Sequence, residues 1–409
     1  MPSTEPDLPG EPADVLDLIV IGGGVMGLFT AFCAARQGRR VTVLERGRIG
    51  DPATASFGRT RSYRRDYLDP GYARLADEAI RLWTAFETET GMQALVRCGC
   101  MNIAAASVTP DLDATYARRT TAVLRDLGIP VESHEAAVVQ QRFPYLRADV
   151  ADNDPLGGLV NLPAVTTALV ASLTGVVRER VDVSSIESRD AVVTVTAATG
   201  QFMARSLVIT AGHGTNDVLK LLAGCTLQVP ISRDRPSEAK YLVPPAEVRH
   251  LFTAAHMPVI AYLDTGIYLH PIVDGLVEAV KIGYYNPPDL PRGSTNIGGI
   301  ADFVEQCMPG LAAATVRDVA DVDQCDYDLV ADDDFVLGPV PGFGNVFVGV
   351  GWRGTGYKFA PWVGRVLSDL ACRHGTVYDI ARFDPSRFSA GRPQRTEPAA
   401  AGAAEGRAS

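Results

Sequence analysis

Apolar runs and polar interruptions divide the chain into strand-like and helix-like stretches. Residues 17–46, "DLIVIGGGVMGLFTAFCAARQGRRVTVLER", open on the run "LIVI", which suits a parallel strand buried on both faces. Glycines follow, then a helical stretch, then a second apolar run, "VTVLE". The reading there is strand, turn, helix, strand. After Asp69-Pro70, "YARLADEAIRLWTAFETE" has helical periodicity with acids and bases on one face. "TTAVLRDLGIPVESH" reads as a helix stopped by Gly128, and "TALVASLTG" as a third short helix. "VDVSSIESRDAVVTVTAATGQFMA" alternates and turns like a β-meander, and "MARSLVITAGHGTNDVL" runs from an apolar strand through Ala211-Gly212 into a helix. Residues 226–300 are proline-rich, with short alternating runs such as "GIYLHPIV" and "GLVEAVKIGYY" that predict an antiparallel sheet.

This order predicts an α/β Rossmann-type dinucleotide-binding domain joined to a second, mostly antiparallel-sheet domain of α+β character. The first is expected from three separated pieces, 15–90, 155–225 and 325–385. The second is expected from the insertions 91–154 and 226–324, where its sheet can roof the cofactor and hold a substrate. The tails, 1–14 and 386–409, are polar and proline-containing and are expected to be disordered. A length of 409 residues suits two domains.

A net charge of −10 argues against binding a phosphate backbone, because no basic stripe is present to release counterions. The acidic leader does not fit a signal peptide, and adjacent glycines interrupt the first apolar run before it could span a membrane. The seven cysteines form no CxxC pair, so reduced thiols in a cytoplasmic protein are expected. Cys98 and Cys100 bracket one glycine without further metal ligands nearby in sequence, and no metal site is expected.

Gly22, Gly24 and Gly27 form G-x-G-x-x-G at the first strand-to-helix junction. The first glycine permits the tight turn, the second lets backbone approach a pyrophosphate, and the third allows close helix packing. Glu45 ends the next strand, about twenty residues on, where a carboxylate accepts a ribose hydroxyl. No second G-x-G-x-x-G is present for a nicotinamide cofactor. Further along, "VDQCDYDLVADDDF" sets Cys325 among Asp323, Asp326 and Asp328. Neighbouring negative charge disfavours a thiolate, so a reactive Cys325 needs an electrophile or a cation close in space.

The N-terminal motif, "SFGRTRSYRRDY" at 56–67, "VKIGYY" at 280–285, "CDY" at 325–327 and "GWRGTGYKF" at 351–359 occur in that order. Together they resemble the monomeric sarcosine oxidase family of FAD-dependent amine oxidases, within the D-amino-acid-oxidase-like superfamily. That family includes N-methyltryptophan oxidase, pipecolate oxidase and the piperideine-carboxylate oxidase of nikkomycin biosynthesis. The resemblance covers residues 17 to about 380. It implies FAD attached through Cys325, whose electrophile is then the flavin 8α-methyl carbon, with Asp323, Asp326 and Asp328 facing solvent or paired with an arginine. It implies Arg61 beside the flavin, Arg64 and Lys358 as ligands of a substrate carboxylate, and Lys281 as the cation that promotes reaction with oxygen. It further implies cofactor contacts at Met26, Arg46, Thr60, Val181, Gly212, Gly354 and Gly356.

The implied reaction passes hydride from the carbon beside nitrogen to flavin N5, leaving an imine, and oxygen then becomes hydrogen peroxide. The partners are a small amino or imino acid and oxygen, with neither nucleic acid nor membrane, and a monomer is favoured. The same fold also accommodates a dehydrogenase that passes electrons to another acceptor, or a non-catalytic FAD-binding scaffold. Two departures bear on the substrate. The family's sarcosine oxidase has histidine where this chain has Tyr285 and phenylalanine where it has Trp352. The loop "GHGTN" is nearer in style to the nikkomycin enzyme. With Tyr268, Tyr284 and Tyr327, these aromatic residues predict a pocket for a larger or cyclic amino acid.

Overall fold

The computed structural model describes residues 15–232, 238–284, 300–312, 314–318, 327–373 and 375–389. The strand Leu16–Ile21 pairs in parallel with Val41–Leu44 on one side and with the end of Gly200–Ile209 on the other. Val346–Val350 and Val177–Arg178 extend this parallel core outward. The strands at 183–189 and 192–197 join the start of Gly200–Ile209 as the antiparallel meander expected from their alternation. Every residue of Val41–Leu44 and Val346–Val350 is buried, as strands covered on both faces require.

Two helices, Val25–Arg36 and Ala360–Arg373, pack on one face of this sheet. They approach closely because Gly364 has no side chain: a Cβ there would lie 2.5 Å from Phe29 Cβ and 2.6 Å from its carbonyl carbon. The helix read after Asp69 spans Pro70–Thr90. Asp69 caps it by accepting from the backbone N–H of Gly71 (2.7 Å) and Tyr72 (3.1 Å). Gly91, at φ +68°, ends it.

A second sheet of eight strands combines residues 100–154 with residues 238–318. Its strand alternation gives it two unlike faces. Ile260, Tyr262, Ile267, Leu269, Val280 and Ile282 join Phe252 and Phe303 in an apolar core. The alternate residues Val259, Ala261, Tyr268, His270 and Lys281 turn to the opposite side, toward the first layer. Between the layers runs Arg65, 2% exposed, which bonds Asp154 of the second sheet (2.5 Å) and Asp77 of the helix Pro70–Thr90 (2.9 Å).

Candidate active site

The first cavity lies at the N-terminus of Val25–Arg36, opens to solvent with about 390 Å³ of free space, and is lined by Gly23, Gly24, Glu45, Arg48 and Ser56 among others. Gly22 sits at φ +108°, and a Cβ there would lie 2.5 Å from the Thr210 carbonyl oxygen. Gly27 is packed as tightly, because its Cβ would overlap the Gly22 carbonyl. Gly24, by contrast, faces only Ser56 Oγ, so backbone stays open to an approaching phosphate. The Glu45 carboxylate accepts from the backbone N–H of Gly23 and of Gly47, both at 2.6 Å. Such a cradle fits the pyrophosphate and ribose of FAD. Val181 is buried against it and donates its N–H to the Glu45 carbonyl (2.9 Å). Gly212 lies in the turn after Gly200–Ile209 at φ +52°, a conformation that favours glycine. Arg46 is exposed and does not line this cavity; Arg48, which the motif did not single out, does.

The second cavity, of about 680 Å³, opens between the two layers. Arg61, Arg64, Lys281 and Lys358 all line it. Arg61 and Arg64 come from the strand Thr60–Tyr63 and the residue after it, Lys281 from Val280–Tyr284, and Lys358 from the turn Gly356–Phe359 before the last helix. Arg61 donates to the Thr60 carbonyl (3.0 Å) and the Phe57 carbonyl (2.7 Å), which fixes its guanidinium. Trp83 Nε1 donates to the Lys358 carbonyl at 2.8 Å and anchors that turn.

Tyr67 brings two of these cations together. Lys358 Nζ donates to the Tyr67 hydroxyl (3.0 Å), and the Arg64 guanidinium carbon stands 4.9 Å from the centre of the Tyr67 ring. Asp66 holds Arg64 through an Nη1–Oδ2 contact of 2.7 Å, and Asn102 also donates to that carboxylate. Burial opposes charge on Arg64, but Asp66 outweighs it and keeps the guanidinium protonated. Lys358 is different: burial first, and then repulsion by Arg64, push its pKa well below the usual lysine range. An anion placed beside the two groups would offset both penalties. Lys281 is 2% exposed, with its Nζ 6.0 Å from the centre of the Tyr268 ring. Gly283 makes room for that ring, since a Cβ there would lie 2.3 Å from it.

The aromatic pocket forms in part. Tyr268 and Tyr327 line the cavity. Tyr284 packs instead with the apolar core of the second sheet, because it is out of phase with Lys281 on its strand. Trp352 does not line the cavity either; its ring packs on Phe335 (5.3 Å between centroids) and beside Gly356. Met26 reaches the same turn, with its Cε 3.2 Å from the position of a Gly356 Cβ. Gly354, at φ +68°, leaves space for the Tyr327 ring. Cys325, Asp323, Asp326 and Tyr285 lie outside the described residues. Asp328 departs from the expectation of solvent or an arginine. It is buried, and its Oδ2 accepts from the Gly351 N–H at 3.0 Å, so it braces the loop that carries Trp352.

Sequence reading passed over Tyr67 and His270. Tyr67 closed the quoted "SYRRDY" but had no assigned contact. His270 was detectable, because alternation in "GIYLHPIV" places it on the same face as Tyr268. Among the described residues, no His, Cys, Asp and Glu cluster could hold a metal ion, and no helix is long and apolar enough to cross a membrane.

A two-layer fold with a dinucleotide cradle at one helix N-terminus, and a buried cationic cavity between the layers, defines a flavin-dependent redox enzyme. The chain belongs to the FAD dependent oxidoreductase family, whose model matches residues 17–370. It is 29% identical to the peroxisomal sarcosine oxidase of Homo sapiens, over 92% of this chain and 97% of that protein. It is 26% identical to the N-methyl-L-tryptophan oxidase of Yersinia pestis, over 91% and 99% respectively. Among solved structures it shares its fold with the open form of a tyrosine-to-phenylalanine mutant of NikD, an amino acid oxidase essential for nikkomycin biosynthesis. That match has a TM-score of 0.71 and 23% identity, and covers 91% of this chain and 98% of that one.

Proposed function

We propose that the protein oxidises the secondary or cyclic amine of an amino or imino acid to an imine, with oxygen as the final acceptor and hydrogen peroxide as product. The observation that carries this reading is the convergence of Arg64 and Lys358 on Tyr67 inside one cavity. Two basic side chains from separate chain segments, the charge of one disfavoured by burial and by its neighbour, suit a substrate carboxylate. Bound FAD supplies the two-electron oxidation of the carbon beside nitrogen. The chain supplies position. Arg64, fixed by Asp66, and Lys358, fixed by Tyr67, orient the carboxylate, and with it the carbon to be oxidised. Arg61 adds positive charge on the same side, where it stabilises negative charge developing on the cofactor. Lys281, buried on the opposite wall, is the cation assigned to the reaction with oxygen. Cys325 is the assigned point of covalent attachment.

An anaerobic screen of amino and imino acids for bleaching of the flavin absorbance tests the reading. Bleaching by secondary or cyclic amino acids is expected, with Arg64→Met and Lys358→Met each weakening their binding by about tenfold to a hundredfold, the value of a lost charge-assisted hydrogen bond. If methyl esters bleach the flavin as readily as free acids, the carboxylate assignment is wrong. Slow reoxidation by air of the bleached enzyme points to a dehydrogenase instead. For the attachment, acid-precipitated protein should stay yellow and Cys325→Ala protein should not.

A further inference from the structure

We propose that His270 is the acceptor for the substrate's amine N–H, and so the residue by which this cavity selects a neutral amine; this rests on the amino-acid reading above. His270 is 2% exposed, lies in the strand Ile267–His270 directly opposite Lys281, and lines the cavity. Its Nδ1 lies 2.9 Å from Thr60 Oγ1, a bond that reaches across from the second sheet to the strand carrying Arg61. That bond fixes the ring plane. Nε2, on the other edge, is buried without a hydrogen-bond partner among the described residues. A buried polar nitrogen left unmatched by protein costs stability unless water or a ligand group binds it, and beside this cavity a substrate group can.

The ring is neutral. Burial, then Lys281, Arg61 and Lys358, all press its pKa well below the usual histidine range. A neutral imidazole carries one N–H and one lone pair. With Nδ1–H donating to Thr60 Oγ1, the lone pair sits on Nε2, and this is the tautomer that amine recognition requires. Arg61, Arg64, Lys281 and Lys358 offer only donors. They can hold a carboxylate, but they repel an ammonium and cannot accept an N–H. A secondary amine about to become an imine needs its own lone pair for the new C=N bond, which leaves its single N–H as the handle for recognition. The hydroxyls of Tyr268 and Tyr327 can donate as well as accept; Nε2 in this tautomer only accepts.

The test compares L-pipecolate and L-proline with their ring-ether isosteres, tetrahydropyran-2-carboxylate and tetrahydrofuran-2-carboxylate, on the flavin-loaded enzyme. Binding of the ethers is read from perturbation of the flavin spectrum, and binding of the amines from the concentration dependence of anaerobic bleaching. In His270→Leu, amine affinity should fall about tenfold or more while ether affinity stays within twofold. His270→Asn, which keeps a carbonyl acceptor, should recover part of the loss. Thr60→Val, which frees the ring but leaves Nε2, should show the same selectivity in weaker form. Equal weakening of amine and ether in all three variants would make His270 a packing residue and overturn the proposal, as would no change in either. A parent enzyme that binds the ethers but is bleached by neither amine retains the carboxylate anchor and removes His270 from amine recognition. A parent that responds to neither class removes the amino-acid reading itself, and this inference with it.

Discussion

At the scale of single residues, the site depends on charges kept where burial disfavours them. Lys281 is the clearest case, a buried lysine whose strand neighbours Val280 and Ile282 are core residues. Lys281→Met keeps the length and removes the charge. Rapid mixing should show reduction by substrate largely retained and reoxidation by oxygen slowed by about a hundredfold or more, the scale of one lost electrostatic stabiliser. Unchanged reoxidation would remove Lys281 from that role. Asp328 gives a pH signature. Burial pushes its carboxyl up to about 7, against the pull of the Gly351 and Trp352 backbone N–H groups. In the unfolded chain a carboxyl of this type ionises near ~3.9. Between these values the folded protein keeps a proton that the unfolded chain has lost, so this group's contribution to stability falls as pH rises to about 7 and then levels off. Asp328→Asn preserves an acceptor for Gly351 and removes the titration. Relative to the parent, it should melt higher at pH 8 than at pH 5, and an equal displacement at both pH values would refute the account.

Elements transmit these demands through close backbone contacts. Val25–Arg36 presents its N-terminus to the dinucleotide cradle and its flank to Ala360–Arg373. Gly364→Ala would place a methyl against Phe29 backbone, and overpacking of this kind costs about 1–3 kcal/mol. The variant should melt lower and carry less flavin per chain as purified, whereas Gly344→Ala, where a Cβ meets nothing within 4 Å, should do neither. The elements legible in the sequence were those with strong local signals. The G-x-G-x-x-G junction and the helix after Asp69 stand where glycine spacing and periodicity placed them, and the structure adds that Asp69 caps the helix. Alternation also announced the antiparallel sheet, since period two puts Tyr268 and His270 on one side; the register that sets Lys281 opposite His270 came only with the structure. What local pattern could not supply was the partner across space. Nothing near Arg64 in sequence says that its ring neighbour shares a hydrogen bond with Lys358, almost three hundred residues on. Trp352 illustrates the converse: the motif placed it next to the site, while its ring turned into the flavin-domain core against Phe335.

For the molecule as a whole, the cavity is a gap between the second sheet and the segments 61–64 and 354–358 that face it, and its walls answer to groups that do not line it. Arg65 reaches Asp154 on one side and Asp77 on the other, with its guanidinium almost wholly out of solvent. Arg65→Leu leaves both carboxylates without that partner, and breaking a buried pair in this way costs about 3–5 kcal/mol. Thermal unfolding should show the loss directly. In variants that still fold, the Michaelis constant for substrate should rise more than turnover falls, because the proposed carboxylate anchor, Arg64 and Lys358, loses its spacing from the second sheet. Wild-type affinity in a folded Arg65→Leu protein would show that spacing to be set elsewhere. The arrangement also bears on how such an enzyme diversifies. A lineage could widen or narrow the gap by retuning this clamp while every residue that touches substrate or cofactor stayed the same, so that new substrate preferences need not begin with a change in the catalytic cavity.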